Sequence, residues 1–191
     1  MVIVLIHRNN TFKLIIVLVL TFSGVFFLTK DSFASNPTII GFIIEAKQME
    51  GTMKNPVMIT GDTAEQKDRP MLELMFDNLS AKDLIIKKLV ETPKGLITIE
   101  ITHKDSALFN NLSLHVTNAE FSEHYLPSAG NIGLKNVKLL THRVTADNLS
   151  LPQFNLILNE GGKVEMEPKS EEELLYMKAV LEKLINSNLQ Q

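Results

Sequence analysis

The sequence contains no cysteine and no tryptophan, and only two of its 191 residues are tyrosine. The absence of cysteine excludes a disulfide framework, a thiol nucleophile, cysteine-ligated zinc and a lipid attached through an N-terminal cysteine. The shortage of aromatic side chains argues against a stacking platform for bases or sugars. A formal net charge of −3 provides no basic face, so nucleic-acid binding is not expected.

Catalytic and cofactor-binding motifs are also lacking. The sequence contains no Gly-x-Ser-x-Gly, no His-Glu-x-x-His, no P-loop and no Gly-x-Gly-x-x-Gly. Asp105 and Ser106 lie close to His103 in the sequence, which keeps a Ser-His-Asp hydrolase as an alternative. No two histidines of the exported part have the spacing of metal ligands: His103, His115, His124, His142. We therefore predict no catalytic, cofactor-binding or metal-binding residue, and we expect that the protein is not an enzyme.

The first 34 residues have the organisation of a secretory signal. Two basic residues precede an uncharged apolar run over 14–28, and Ser32 and Ala34 place small residues at positions −3 and −1 of a cut after Ala34. The run is shorter than the roughly 20 residues of a membrane span. We predict a cleaved signal peptide, with an uncleaved N-terminal membrane anchor as the alternative. In both cases residues 35–191 are exported, either secreted or attached to the outer face of the cytoplasmic membrane.

The exported part is more acidic than the whole chain. Without residues 1–34 the chain loses Arg8, Lys13, Lys30 and Asp31, which leaves 16 basic and 21 acidic residues. An exported domain without any cysteine indicates a bacterium that does not rely on oxidative folding. The sequence therefore favours a place in a bacterial cell envelope.

Alternating apolar residues indicate β-strands through most of the exported part. The clearest strand covers 96–103, where Ile97, Ile99 and Ile101 share one face and polar residues take the other. This pattern is typical of an antiparallel sheet with one solvent-exposed face. The other predicted strands cover residues 39–50, 57–60, 72–76, 84–90, 112–116, several pieces of 132–158, and Val164 to Met166.

The stretch from 132 to 158 changes face several times. Its apolar residues shift phase at Asn136, Asn148 and Pro152, and each shift moves the following side chains to the opposite face of a sheet. Asparagine tolerates a left-handed backbone, and proline suits an edge or a bend. We therefore predict short strand pieces that are joined by corners.

The triplet Asn-Leu-Ser occurs three times, at 78–80, 111–113 and 148–150. With Asn136 included, the asparagines are 33, 25 and 12 residues apart, which is too irregular for a solenoid period. We interpret the triplets as parts of an irregular stack of strands that share one core. Chance recurrence in a chain rich in asparagine and leucine is the alternative.

One amphipathic helix is predicted near the end of the chain, from Glu171 to about Ser187. Ser170 followed by Glu173 forms a capping box, and the acidic residues of the first turn suit the helix dipole. Apolar residues at helical spacing form one stripe: Leu174, Met177, Leu181, Leu184, Ile185. We expect the helix to cover an open end or face of the sheet, with a partner-binding or dimerising helix as the alternative.

These elements predict a mainly β fold, which 191 residues are sufficient to pack around one core. The expected form is an antiparallel sandwich or a bent, solenoid-like sheet stack with one C-terminal α-helix and an N-terminal hydrophobic signal segment. The predicted organisation is a signal peptide or anchor over 1–34, a β-rich domain over 35–168 and an amphipathic helix over 169–191.

Three stretches resemble an uncharacterised family of exported bacterial β-rich proteins, some of them labelled cholesterol esterase: IIEAKQMEG, NNLSLHVTNAEF and GNIGLKNVKLLTHRVTADNLSLPQF. The chain is also similar to the bent β-sheet proteins of lipopolysaccharide transport, in Ala146-Asp147 after a strand and in the turn Gly130-Asn131-Ile132. The second resemblance implies an activity of holding acyl chains in a trough between sheets. The esterase label is not carried over, because the chain has no nucleophile elbow.

We expect an exported, non-enzymatic β-rich protein of the cell envelope that binds a lipid, another envelope component or a partner protein. A structural surface protein that assembles through strand edges or the C-terminal helix is the alternative, and a hydrolase is the third. The expected partners do not include nucleic acid, and no cofactor is expected. A groove lined with leucine and isoleucine would support lipid binding, whereas a filled core would not.

Overall fold

A computed structural model of the chain describes residues 38–127 and 130–188. The predicted signal or anchor segment, residues 1–34, lies outside these two ranges. Within them the chain forms eight strands and one helix: β1 (Thr38–Met53), β2 (Val57–Gly61), β3 (Arg69–Thr92), β4 (Gly95–Glu120), β5 (Glu123–Tyr125), β6 (Ile132–Thr145), β7 (Asn148–Ser150), β8 (Asn155–Glu160) and α1 (Glu171–Asn188). No helix in the described ranges has the length and apolar character that crossing a membrane requires.

The strands belong to one antiparallel sheet. β3 and β4 form a long hairpin, and β1 pairs with β3 on one side and with β6 on the other. β6 also pairs with β4, so β3, β1, β6 and β4 form a closed ring of pairings. β2 extends the sheet beside β3, β5 lies beside β6, and β7 and β8 lie beside β4. The prediction of a mainly β, antiparallel fold with a C-terminal helix is confirmed.

Residues with a left-handed backbone move the side chains that follow them in the long strands to the opposite face of the sheet. Asp83 in β3, Asn111 in β4 and Asn136 in β6 have φ angles of 52°, 49° and 50°. Leu134 and Val137 lie on opposite sides of Asn136 and are both buried in the core, which an unbroken alternation would not allow. The corner predicted at Asn136 is therefore confirmed.

The other two predicted corners lie at strand ends. β6 ends at Thr145 and β7 begins at Asn148, so the chain leaves the sheet over 146–147. Pro152 lies in the gap between β7 and β8. The stretch from 132 to 158 is thus divided into three strands, as its phase shifts predict.

The main core lies on one face of the sheet and is covered by α1. The strands contribute alternate apolar residues, with the phase changing at the corners. From α1, Leu174, Leu181 and Ile185 are buried in this core, and Met177 and Leu184 pack against it. The helix runs from Glu171 to Asn188, close to the predicted bounds, and the expected covering role of its apolar stripe is confirmed.

A smaller apolar cluster lies on the opposite face. Ile43 of β1, Leu89 of β3 and Leu140 of β6 are covered there by Met166. The chain around Met166 forms no strand, so the predicted strand from Val164 to Met166 is wrong. The stretch carries Met166 across the sheet without joining its ladder.

Isolated polar contacts hold this covering stretch, residues 161–170, in place. Lys169 N donates to the Thr117 carbonyl over 2.8 Å, and Asn118 Nδ2 donates to the Glu167 carbonyl over 2.8 Å. Glu165 lies 3.0 Å from Lys138 Nζ, and this hydrogen bond is the largest cause that raises the pKa of Lys138 and lowers the pKa of Glu165. One backbone hydrogen bond and two side-chain contacts therefore take the place of the backbone ladder that the sequence pattern predicts.

Two further strands are longer than predicted. β3 and β4 are continuous strands of 24 and 26 residues, where the pattern predicts two strands each. The polar stretch 104–111 of β4 joins the sheet because it pairs with both β3 and β7. The loop predicted over 123–131 also contains the short strand β5, which pairs Tyr125 with Gly133. Pairing with neighbours has outweighed local composition in all three places.

Candidate functional site: a polar groove on the sheet

Paired residues of β1, β3, β4 and β7 form three rows on one face of the sheet. We call them the amide row (Thr52, Asn78, Asn110, Asn148), the middle row (Glu50, Ser80, Leu108, Ser150) and the third row (Gln48, Lys82, Ser106). Neighbours within a row are about 5 Å apart and successive rows are about 7 Å apart, because those are the strand spacing and the two-residue repeat of a sheet. The residues between the rows point the other way, into the core.

A groove of about 940 Å³ lies over these rows and is open to solvent. All members of the three rows except Thr52 line it, together with Asn131 and residues 147–152. The volume falls within the range of roughly 300–1,000 Å³ that is typical of small-ligand sites. Leu108 is 53% exposed at the centre of the rows. The groove thus combines the polar rows with apolar lining residues, of which Leu108 and Pro152 are exposed: Leu79, Leu108, Phe109, Leu149, Leu151, Pro152.

The β4–β7 end of the amide row is free to bind a ligand. Within the described ranges, the side chains of Asn110, Asn148 and Ser150 make no hydrogen bond to another residue. Asn78, at the other end, exchanges hydrogen bonds with Thr52: its Nδ2 donates to Thr52 Oγ1 over 3.2 Å, and its Oδ1 accepts from Thr52 N over 3.4 Å. The row is therefore anchored on β1 and available over β4 and β7.

The acid of the middle row, Glu50, is held by Tyr125. Tyr125 Oη donates to Glu50 Oε2 over 3.1 Å, and Gln48 Nε2 donates to Tyr125 Oη. Burial, and after it the hydrogen bond to Glu50, raises the pKa of Tyr125. The phenol therefore stays protonated at neutral pH and orients the carboxylate beside the groove.

The ionisable residues of the lining nearly balance. Glu50 and Asp147 are acidic and Lys82 is basic, so the lining carries a formal charge of −1. Asp147 Oδ2 also accepts a hydrogen bond from Asn111 Nδ2 over 2.7 Å, which fixes the carboxylate directly before the start of β7. A nearly neutral lining that contains amides and hydroxyls suits an uncharged ligand with polar groups better than a phosphate.

The alignment of the amide row depends on the corner at Asp83. The β3–β4 register shifts by one residue between Lys82 and Leu84, so that Asn78 pairs with Asn110. In the unshifted register that holds near the hairpin turn, Asn78 would face Phe109 instead. One left-handed aspartate in β3 therefore places the asparagines side by side.

The residues considered for a hydrolase are not assembled into a triad. His103 is 3% exposed and turned into the core, where its Nδ1 shares a hydrogen bond with the Gln153 carbonyl. Ser106 lies on the other face, in the third row of the groove, and Asp105 is exposed. A Ser-His-Asp site needs the histidine within hydrogen-bond reach of the serine, and these side chains lie on opposite faces.

The remaining histidines lie in separate environments. His142 is partly buried and its Nε2 is 2.9 Å from Thr117 Oγ1, and burial is the largest cause that lowers its pKa. His115 Nε2 is 3.7 Å from Glu73, and His124 is exposed on β5. In the described part of the chain, no group of three histidine, aspartate or glutamate residues could hold a metal ion.

The groove was not predicted from the sequence, although one signal pointed to it. Asn78 and Ser80 are the outer residues of the first Asn-Leu-Ser triplet, and Asn148 and Ser150 are those of the third. Both triplets place leucine toward the core and the two polar residues toward the groove. The second triplet, 111–113, begins at a corner and lies outside the lining.

Comparison of the chain with models of protein families, with curated proteins and with solved structures found no match. The resemblances to exported β-rich proteins and to lipopolysaccharide-transport proteins therefore stay predictions. The geometry of the groove is the feature that bears on function.

Proposed function

We propose that the chain is an exported, non-enzymatic binding module of the bacterial cell envelope, and that it binds a polar envelope component in the groove. The observation that carries this proposal is the set of aligned polar rows beneath a cavity of about 940 Å³. The side chains of Asn110, Asn148 and Ser150, which make no hydrogen bond to another described residue, are available there for hydrogen bonds to a ligand. Export is supported by the signal-like pattern of residues 1–34.

The apolar core is occupied by the protein's own side chains, and this favours a polar ligand over an acyl chain. On the core side of the sheet the described apolar side chains are buried, and α1 covers them. A second cavity, near Met53, Ile132 and Ile185, measures about 310 Å³. The polar groove is about three times as large and is the better ligand site of the two.

Assembly of a surface structure is the second candidate. β8 pairs with β4 alone among the described strands, and its Leu158 is 54% exposed. An unpaired strand edge with an exposed leucine can pair with another chain. Discrete oligomers that are abolished by Leu158→Lys, measured by light scattering, would support assembly over ligand binding.

Thermal unfolding with envelope extracts tests the proposed function. The 191-residue chain, kept in a polyoxyethylene detergent, is mixed with either the water-soluble or the organic extract of cell envelopes. At ten times its dissociation constant a ligand adds about 1.4 kcal/mol, which raises the midpoint by roughly 3–5 °C. We expect this shift with the water-soluble extract.

Two matched double variants, one in the groove and one on β8, test whether the ligand binds in the groove. Asn110→Ala with Asn148→Ala removes the free end of the amide row, and we expect it to abolish the shift. Asn155→Ala with Asn159→Ala removes two exposed asparagines of β8 outside the groove and should leave the shift intact. A shift with the organic extract alone, or an equal shift for both variants, would contradict the proposal.

A further inference from the structure

We propose that the ligand of the groove is a neutral oligosaccharide chain, which lies on Leu108 and hydrogen-bonds to Asn110 and Asn148. This inference depends on the proposed function and names the chemical class that the groove takes. It follows from the pairing of the two asparagines, from the exposure of the leucine and from the charge of the lining.

Asn110 and Asn148 are paired residues on adjacent strands, so their backbones lie about 5 Å apart and their side chains share one face of the sheet. Each amide offers an acceptor oxygen and two donor hydrogens. One amide can accept a hydrogen bond from one hydroxyl of a sugar ring and donate a hydrogen bond to the adjacent hydroxyl. The two asparagines can therefore bind hydroxyls of one ring, or of two successive rings, without any change in the sheet.

Leu108 lies between Ser80 and Ser150 in the middle row and next to Asn110. A single exposed leucine is common on protein surfaces and by itself indicates no site. Here it is 53% exposed at the centre of three rows whose other members are polar. A sugar ring has one face of C–H groups, and Leu108 gives that face an apolar contact while the surrounding groups bind the hydroxyls.

The charges select against anionic polymers. Glu50 and Asp147 outnumber Lys82 in the lining, so a phosphorylated, sulfated or uronic chain would meet a net negative charge. Carboxylates are, in contrast, strong acceptors for neutral hydroxyl groups. The aromatic residue of the lining, Phe109, is 6% exposed and turned into the core, so no ring stacks on the sugar and exchange should be fast.

The experiment is a titration of the 191-residue chain with neutral hexasaccharides. The probes are maltohexaose, cellohexaose, hexa-N-acetylchitohexaose and mannohexaose, and the anionic comparison is a hyaluronan hexasaccharide. The protein is kept in a polyoxyethylene detergent, whose headgroup contains no sugar, and calorimetry measures affinity. We expect at least one neutral probe to bind and the anionic probe to bind at least about tenfold more weakly.

Two leucines of nearly equal exposure supply the test of position. Leu108→Ser should lower the affinity by about tenfold through loss of the apolar contact. Leu158→Ser, on β8 outside the groove and with the wild-type leucine 54% exposed, should leave it unchanged. Equal effects of the two variants would overturn the inference.

The outcomes separate this inference from the proposed function. If no neutral saccharide binds but the water-soluble envelope extract still stabilises the wild type and not the Asn110→Ala, Asn148→Ala variant, the carbohydrate inference is wrong and the proposed function stands. A peptide as the isolated ligand leads to the same conclusion. If neither saccharides nor extract bind, both proposals are wrong.

Discussion

Tyr125 occupies the space that a side chain on Gly133 would need. The two residues are paired between β5 and β6, and a β-carbon on Gly133 would overlap Tyr125 Cζ. An aromatic ring across from a glycine restores contacts that the missing side chain cannot make. The same ring donates to Glu50, so this pair connects the edge of the sheet to the groove.

Gly133→Ala is expected to destabilise the fold by about 1–3 kcal/mol, the typical cost of overpacking. The alanine methyl would displace the Tyr125 ring and with it the hydrogen bond to Glu50. In a Tyr125→Ala background the same substitution should cost far less, since the space is then empty. Urea unfolding of the two single variants and the double variant measures the coupling. Additive costs would show that the ring and the glycine do not interact.

Gly51→Ala is expected to cost about 3 kcal/mol, at the upper end of overpacking effects. A β-carbon there would overlap the Asn78 carbonyl oxygen and lie 2.9 Å from Leu79 Cα, and backbone cannot move aside. Gly61→Ala is the matched control, because its β-carbon would meet the flexible Met71 side chain at 3.2 Å. It should cost less than about 1 kcal/mol in the same urea titration. Similar costs at the two glycines would refute the close approach of β1 and β3.

Met166→Ala is expected to cost about 2–4 kcal/mol, as for other buried large-to-small substitutions. The change uncovers Ile43, Leu89 and Leu140, the outer apolar cluster that Met166 covers. Lys163→Ala, an exposed residue of the same covering stretch, should change the free energy of unfolding by less than about 0.5 kcal/mol. A neutral Met166→Ala would mean that the covering stretch does not pack on the sheet.

Glu173 is expected to titrate at an unusually low pH. The backbone N–H of Ser170 first, its hydroxyl second and Lys169 third lower the pKa of Glu173 from 4.5 to about 2. Because the folded pKa is the lower one, the stabilisation by this carboxylate is complete above pH 4.5 and is lost as the pH falls through about 2. Carbon NMR of the carboxyl group measures the midpoint.

The control for Glu173 uses the two serines at the ends of α1. Ser170→Ala should raise the Glu173 midpoint and cost about 1 kcal/mol of stability, as the loss of other helix caps does. Ser187→Ala, at the other end of the helix, should leave the midpoint where it was. A wild-type midpoint near 4.5 would mean that the capping box does not form.

The sequence predicts the types of secondary structure in this fold better than the way in which the strands pair and connect. Alternation identified the β class, and the capping box with its apolar stripe identified α1, because both signals are local. Asn136 was recognisable as a corner, since the apolar phase changes on either side of it. The strand predicted from Val164 to Met166 is wrong because its alternation reflects packing of Met166 on the outer cluster rather than a ladder.

The groove could not be predicted because it depends on register. Asn78, Asn110 and Asn148 are separated by long stretches of sequence and come together only through the β3–β4 and β4–β7 pairings. The corner at Asp83 shifts the first of these pairings. A single aspartate in the sequence does not predict that its backbone is left-handed. The polar residues were visible, but their alignment is a long-range property.

NMR of the asparagine side-chain amides tests the central claim most directly. During titration with the neutral hexasaccharide that binds, the Nδ2 signals of Asn110 and Asn148 should shift, while those of Asn155 and Asn159 on β8 should stay fixed. Shifts at Asn155 and Asn159 with none at Asn110 and Asn148 would contradict binding in the groove.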